Sequence, residues 1–303
     1  MEIRLYRKGD EKGIVELFKM VFNKHMSMEL WEWKYRLHFL WTPMVCVAED
    51  DGKIIAHYGA VPRRCSYFGK EVISAVVSDS MVHPSYRGMF TKGGVFVKLT
   101  ETYIEAYAPK RGKRLIDFGY GFPMERARLL ALKLNLYEDV ESCKELLVKG
   151  GGKRFYESME RIENLSIADK LWKEMKDPRF IINYRDRASL EWRYSMPDAQ
   201  FSFFLYRTLF FPKALLVLRT DTDPPKLYDY VGNLQHLSRA FSTLHSKVGN
   251  FLVKIPPWTL QLLKEPKVED MHSKAFLVAN KLTGPSAQEI RGRFFYMWGD
   301  EDT

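Results

Sequence analysis

Arg87 and Gly88 are the residues of this 303-residue chain best placed to hold an anion. Val76 to Val82 reads as a buried strand, Pro84 stops it, Tyr86, Arg87 and Gly88 make a short turn, and apolar residues at helical spacing begin near Thr91. A helix start leaves several N–H groups unpaired under the positive end of the helix dipole, an arrangement that suits a pyrophosphate. Arg87 adds a fixed charge beside it. The same residues also describe an ordinary β–α junction with a surface arginine, because strand–turn–helix units are common.

The flanking elements decide how that turn is held. Residues 2–7 alternate as a first strand, and Glu11 to Val21 carries apolar residues at helical spacing. Met28 to Leu37 predicts a second helix dense in aromatics. Met44 to Ala48 and Ile54 to Arg64 form a hairpin around an Asp-Gly turn, and Val76 to Val82 completes an antiparallel meander. A helix from Thr91 to about Ala108 and the basic loop 109–114 lead to a strand, Leu115 to Tyr120, which such a connection makes a parallel neighbour. A helix from Met124 to Leu134 and strands from Asp139 to Lys149 follow.

The segment V-x-P-x-Y-R-G, residues 82–88, in the order β-α-α-β-β-β-α-β-α-β, resembles motif A of the GNAT acetyltransferase superfamily. In the consensus [QR]-x-x-G-x-[GA], Arg87 takes the first position and Gly88 the next, while Phe90 and Lys92 stand where the family has small residues. Gly93 and Gly94 follow closely. The resemblance covers about the first 150 residues and implies acetyl-CoA as cosubstrate. Its contacts would be Met81, Val82, Arg87, Gly88, Met89, Phe90, Thr91 and Lys92, with the backbone amides of Met81 and Val82 as oxyanion donors and pantetheine contacts. The tyrosine that often serves as general acid in the family is Ala131 here, and the resemblance leaves Tyr120 or Tyr137 to replace it.

Three consecutive glycines, Gly150 to Gly152, read as a linker and divide the chain into domains 1–149 and 154–303. Trp33-Lys34-Tyr35 recurs as Trp192-Arg193-Tyr194, and each triplet is followed by a strand that turns back, so the second half is expected to repeat the first. The expected fold is α+β: tandem GNAT-like domains, each a mixed, mostly antiparallel sheet with a parallel central strand pair flanked by helices. No Arg-Gly turn follows Val231, so the resemblance implies one coenzyme site, with no cofactor cleft in the second domain. Phe294 to Trp298 predicts a last strand carrying the acidic end Gly299 to Thr303. That end either faces the first domain's cleft, as in tandem acetyltransferases of the enhanced-intracellular-survival type, or is a solvated tail.

Acyl transfer from a thioester to an amine needs a proton acceptor, an oxyanion donor and a place for the leaving thiol. Asp79, on the strand beside the expected thioester, is the first candidate for the base and Asp117 the second; either could equally satisfy nearby backbone. The seven histidines show no metal spacing, and no metal is expected.

A formal charge of +9, shared almost evenly between the halves, suits an anionic cosubstrate and equally suits nucleic acid. No aromatic stacking pattern accompanies the basic loop, so no nucleic-acid partner is expected. Cys46, Cys65 and Cys143 lack C-x-x-C spacing and read as buried thiols of a reducing compartment. No run reaches about 18 apolar residues, and the expectation is a cytoplasmic protein without a membrane partner. The acceptor would be a small-molecule or peptide amine; the oligomeric state stays open.

Overall fold

The computed structural model describes residues 1–36, 43–89 and 93–301. The first half runs β1 (Glu2–Leu5), α1 (Asp10–Phe22), α2 (Met28–Trp31), β2 (Met44–Asp50), β3 (Lys53–Tyr67), β4 (Lys70–Val82), α3 (Val95–Tyr107), β5 (Phe118–Gly121), α4 (Glu125–Lys133), β6 (Tyr137–Ser142) and β7 (Lys144–Gly150). The second half runs β8 (Glu157–Ile162), α5 (Ala168–Met175), β9 (Ile181–Asn183), α6 (Arg187–Arg193), β10 (Phe201–Thr208), β11 (Phe211–Arg219), β12 (Lys226–Gly232), α7 (Leu237–Val248) and β13 (Phe251–Ile255). It closes with β14 (Lys267–Asp270), β15 (Phe276–Asn280), α8 (Ala287–Ile290) and β16 (Phe294–Phe295).

Two sheets result, in the orders β1-β2-β3-β4-β5-β15-β6 and β14-β7-β13-β12-β11-β10-β8. Each is antiparallel along this path except for one central pair, β4 with β5 and β12 with β13. A helix connects the strands of each pair, α3 in the first and α7 in the second, and a helical crossover returns the chain parallel. The expected repeat is therefore present. Strands β2 and β3 are buried along most of their length because both faces of the sheet are covered. Tyr58 and Cys46 pack toward Leu99 and Tyr103 of α3, while Val45 and Val61 pack toward Ile14 and Leu17 of α1. All three cysteines are buried with free thiols.

The glycine run does not separate the sheets as the domain boundary predicted. Strand β7 leaves its own half and lies between β13 and β14, while β15 enters the first sheet between β5 and β6. β9 also joins the first sheet, pairing with β3 and carrying β16 beside it. A short half-apolar strand such as KELLVKG satisfies either sheet locally, so its pattern cannot reveal which edge receives it. The glycines themselves are packed rather than loose: a Cβ on Gly151 would sit 2.8 Å from Ser242 Cα, so glycine permits the close approach to α7.

Three boundaries also move. α3 begins at Val95, with Gly94 extended at its N-cap, rather than near Thr91, which lies outside the described residues. The second helix gives way to a π-helical turn at Glu32–Arg36. The last strand is just Phe294–Phe295, and Trp298–Asp300 forms a 3-10 turn.

The recurring tryptophans meet. Trp33 and Trp192 stack with centroids 5.3 Å apart and planes 10° from parallel. Each indole N–H donates to the other's backbone carbonyl, at 2.9 and 3.3 Å. This reciprocal pair, with the reciprocal strand exchange, relates the two repeats by an approximate two-fold.

Candidate active site

Strands β4 and β5 pair from Ser74 with Phe118 to Val76 with Tyr120, and past that register they part. The β3–β4 ladder shifts register between Gly59 with Ser78 and His57 with Met81, and Asp79 takes a left-handed backbone (φ 49°). A bulge of this kind bends β4 and ends its pairing, which opens a fork. The turn Pro84–Met89 lies at the mouth of that fork. It is tied down by Tyr86, whose hydroxyl donates to Asp50 at 2.7 Å.

His83 N–H donates to Ile55 O at 2.7 Å. Antiparallel alternation then directs the Met81 amide at β3 and leaves Val82 facing the open side. The paired role predicted for Met81 and Val82 is thus corrected: Met81's amide belongs to the ladder. Val82's carbonyl accepts from Arg87 Nε at 3.1 Å, the one hydrogen bond Arg87 makes among the described residues. The rest of its guanidinium remains available at the fork mouth. Helix α3 starts a few residues on, with no side-chain cap at Gly94, so its first N–H groups keep their affinity for an anion. Gly88 and Met89 continue the turn; Phe90, Thr91 and Lys92 lie outside the described residues.

The three proposed catalytic residues do not converge. The Asp79 carboxylate accepts from Lys34 Nζ at 3.0 Å and Tyr35 Oη at 2.8 Å. Burial would raise its pKa, yet the charges of Lys34 and His57 and the Tyr35 hydrogen bond hold it below the usual carboxylate range. A carboxylate so held is a weak proton acceptor. Tyr120 accepts from Asn183 Nδ2 at 2.8 Å and donates to the Asp300 carbonyl at 3.1 Å, and burial pushes its pKa well up. It packs on the α1 face of the sheet.

Tyr137 packs on the opposite face, in a cluster with Val97, Ala131 and, at the base of the fork, Val77. Its hydroxyl lies 2.5 Å from that of Tyr58, and burial pushes its pKa up to about 12. Tyr137 therefore keeps its proton at neutral pH beside the place where β4 and β5 separate. Asp117 is spent on the backbone, accepting from Ile73 N at 2.7 Å.

Sequence reasoning missed Tyr58, Lys34 and Tyr35 as partners. The signal for the last two was present in the repeat. Arg193 and Tyr194 hold Asp229 in the second half, at 2.7 and 2.8 Å, as Lys34 and Tyr35 hold Asp79 in the first. A basic–aromatic pair recurring in both halves calls for a buried carboxylate in both.

The acidic end is neither a solvated tail nor a free carboxylate at the cleft, as far as Glu301. Asp300 is fully buried, with its carboxylate bonded to Arg185, to Asn183 Nδ2 at 2.8 Å and to Met297 N at 3.0 Å. Glu301 is held by Lys254 at 2.5 Å. Asp302 and Thr303 lie outside the described residues.

The second repeat also keeps an opening. A cavity of about 550 Å³ lies where β12 and β13 end, lined by Asn233, Gln235, Trp258 and Gln261 and by Lys176 and Phe180. What differs is the approach to the helix: the Asn233 side chain caps the 3-10 turn Leu234–His236 that runs into α7, accepting from Gln235 N at 3.0 Å.

Two mixed sheets with parallel central pairs, helical crossovers and one uncapped fork define a tandem GNAT-like α+β protein. Residues 2–127 match the acetyltransferase (GNAT) domain. The fold is similar to that of a probable N-acyltransferase from Enterococcus faecalis, with a TM-score of 0.69 and 14% identity over 95% of this chain and 73% of that one. A GCN5-related N-acetyltransferase from Anabaena variabilis matches with a TM-score of 0.66 and 14% identity over 91% and 72%. A putative acetyltransferase from Pyrococcus horikoshii matches over 97% and 92%, with a TM-score of 0.56 and 12% identity. No curated protein matches the sequence. Among the described residues no helix is long and apolar enough to cross a membrane.

Proposed function

We propose that this protein transfers an acetyl group from acetyl-CoA to a primary amine of a small molecule or peptide, by direct attack in a ternary complex. The observation that carries the reading is the uncapped start of α3 beside Arg87, at the mouth of a fork opened by the β4 bulge. The pyrophosphate would lie on the α3 amides and the Arg87 guanidinium, and the pantetheine would run along the open edge of β4. The Val82 amide would then donate to the thioester carbonyl oxygen as negative charge develops there. Tyr137, protonated and beside Tyr58, is the acid this reading assigns to the departing thiolate. Asp79 acts as a positioning residue that fixes the bulge through Lys34 and Tyr35.

A second reading follows from the engagement of Asp79 and Tyr120 with protein partners: a coenzyme-binding protein without turnover. Titration calorimetry with acetyl-CoA, joined to a thiol-release assay across a panel of amines, tests both. Binding with thiol release supports the transferase. Binding with no release from any amine favours the second reading, and absence of binding overturns both.

A further inference from the structure

The β10–β11 hairpin ends in an exposed apolar tip. Thr208 pairs with Phe211, so Leu209 and Phe210 form the two-residue turn, Leu209 with φ 56°. The β10–β8 ladder reaches Thr208 with Glu157 and continues as Leu209 N donating to Tyr156 O at 2.6 Å, which brings Phe155 alongside Phe210. Phe155 is 98% exposed, Phe210 87%, Phe211 63% and Leu209 60%. Among the described residues, three of the four exposed phenylalanines gather at this tip. Exposed aromatic side chains this concentrated are unfavourable in water and mark an interaction surface.

The tip carries a basic collar. Lys153 and Arg154 directly precede Phe155, Arg207 donates to the Phe210 carbonyl at 3.3 Å, and the Lys213 ammonium stands 5.9 Å from the centroid of the Phe211 ring. Glu265 and Glu160 pair with Arg154 and Arg207. Lys153 and Lys213 form no ion pair among the described residues, so the collar keeps a net positive charge.

We propose that this tip docks on an anionic lipid surface, its phenylalanines entering the headgroup–acyl boundary and its basic collar meeting acidic headgroups. Apolar side chains ringed by Lys and Arg match the two attractions such a surface offers. The chain's formal charge of +9 adds to the long-range attraction. A second copy is the poorer occupant, since an isologous contact through this tip would press two cationic collars together.

The test is co-sedimentation of the full chain with vesicles of equal parts phosphatidylcholine and phosphatidylglycerol, against vesicles of phosphatidylcholine alone. Binding to the anionic vesicles is expected, weakening as salt rises. The exposed double variant F210S/F211S should lose about tenfold in partitioning while keeping the parent's thermal unfolding midpoint. K153Q/K213Q should reduce binding to the anionic vesicles and leave the phosphatidylcholine baseline unchanged. No binding to anionic vesicles, or binding that F210S/F211S leaves intact, overturns the proposal. So does a concentration-dependent dimer in sedimentation velocity that F210S/F211S abolishes, because the tip would then be a contact between copies.

Discussion

The two forks of this molecule share a frame and differ in who satisfies the helix start. In the first repeat α3 begins at Val95 after Gly94, which has no side chain to offer, and Arg87 in the preceding turn spends only its Nε, on Val82 O, among the described residues. In the second, Asn233 turns its own amide oxygen onto Gln235 N and no arginine stands in the turn. A cavity is present at the second fork all the same. Shape is therefore not what separates them; the difference is whether the backbone amides are left for a ligand or consumed by the chain.

The buried carboxylates make the complementary point. Asp79 and Asp229 hold the same place in their repeats, each gripped by a basic residue and a tyrosine of the helix bearing the stacked tryptophan. A feature present in both repeats belongs to the scaffold. Around Asp229 it is enlarged: Arg185 bridges Asp229 and Asp300, both fully buried, and so locks the end of the chain into the interface between the sheets.

The largest effect should separate these carboxylates. Asp229→Ala leaves Arg185 and Arg193 buried with one anion fewer, a loss of about 3–5 kcal/mol. Asp79→Ala removes the carboxylate shared by one cation, Lys34, and should cost less; urea unfolding of both variants measures the order. Equal losses would mean that the enlarged network adds nothing to the common motif.

Next come the forks themselves. Arg87→Glu should weaken acetyl-CoA binding by about 1–3 kcal/mol, the scale of a charge-assisted phosphate contact. Asn233→Ala should leave that affinity unchanged while lowering stability by about 1 kcal/mol, the worth of an N-cap. Calorimetric titration and thermal unfolding read the two quantities separately, and an affinity lost through Asn233 instead of Arg87 would reverse the assignment of the site.

Acid should act on the second repeat through Glu157, which Arg239 grips and whose pKa falls from 4.5 to about 2; burial acts against the shift, and the Arg239 hydrogen bond leads the groups that lower it. A depressed carboxylate stabilises the fold above its unfolded pKa and loses that contribution as pH falls through the folded value. Stability should thus decline between pH 4.5 and about 2, and Glu157→Gln should flatten that limb in unfolding measured across the range. An unaltered limb would place the acid sensitivity with the other buried carboxylates.

The smallest effect tests the two-fold. Trp33→Phe and Trp192→Phe each delete one indole N–H bond across the pair, and each should cost about 1 kcal/mol. Similar losses by thermal unfolding would support an evenly shared contact, whereas loss confined to one variant would show that the pair is symmetric in shape alone.

The sequence by itself determined much of the scaffold. The Asp-Gly hairpin, the helix-linked strand pairs and the recurring Trp-basic-Tyr triplet are local patterns, set by side-chain period, turn chemistry and spacing. They sufficed for the order of elements in the first half and for the Arg87 turn. Tertiary structure alone decided the rest. KELLVKG and FLVAN each suit either sheet, and only the available edges sent β7 one way and β15 the other. Asp79, Tyr120 and Tyr137 looked equally free as letters, yet a group's chemistry depends on what surrounds it: Lys34 keeps one charged, while Asn183 and Tyr58, distant in the chain, engage the hydroxyls of the others. The acidic end shows the same limit most sharply, because its charge predicted solvent, whereas Arg185, more than a hundred residues earlier, supplied the counter-charge that let Asp300 be buried.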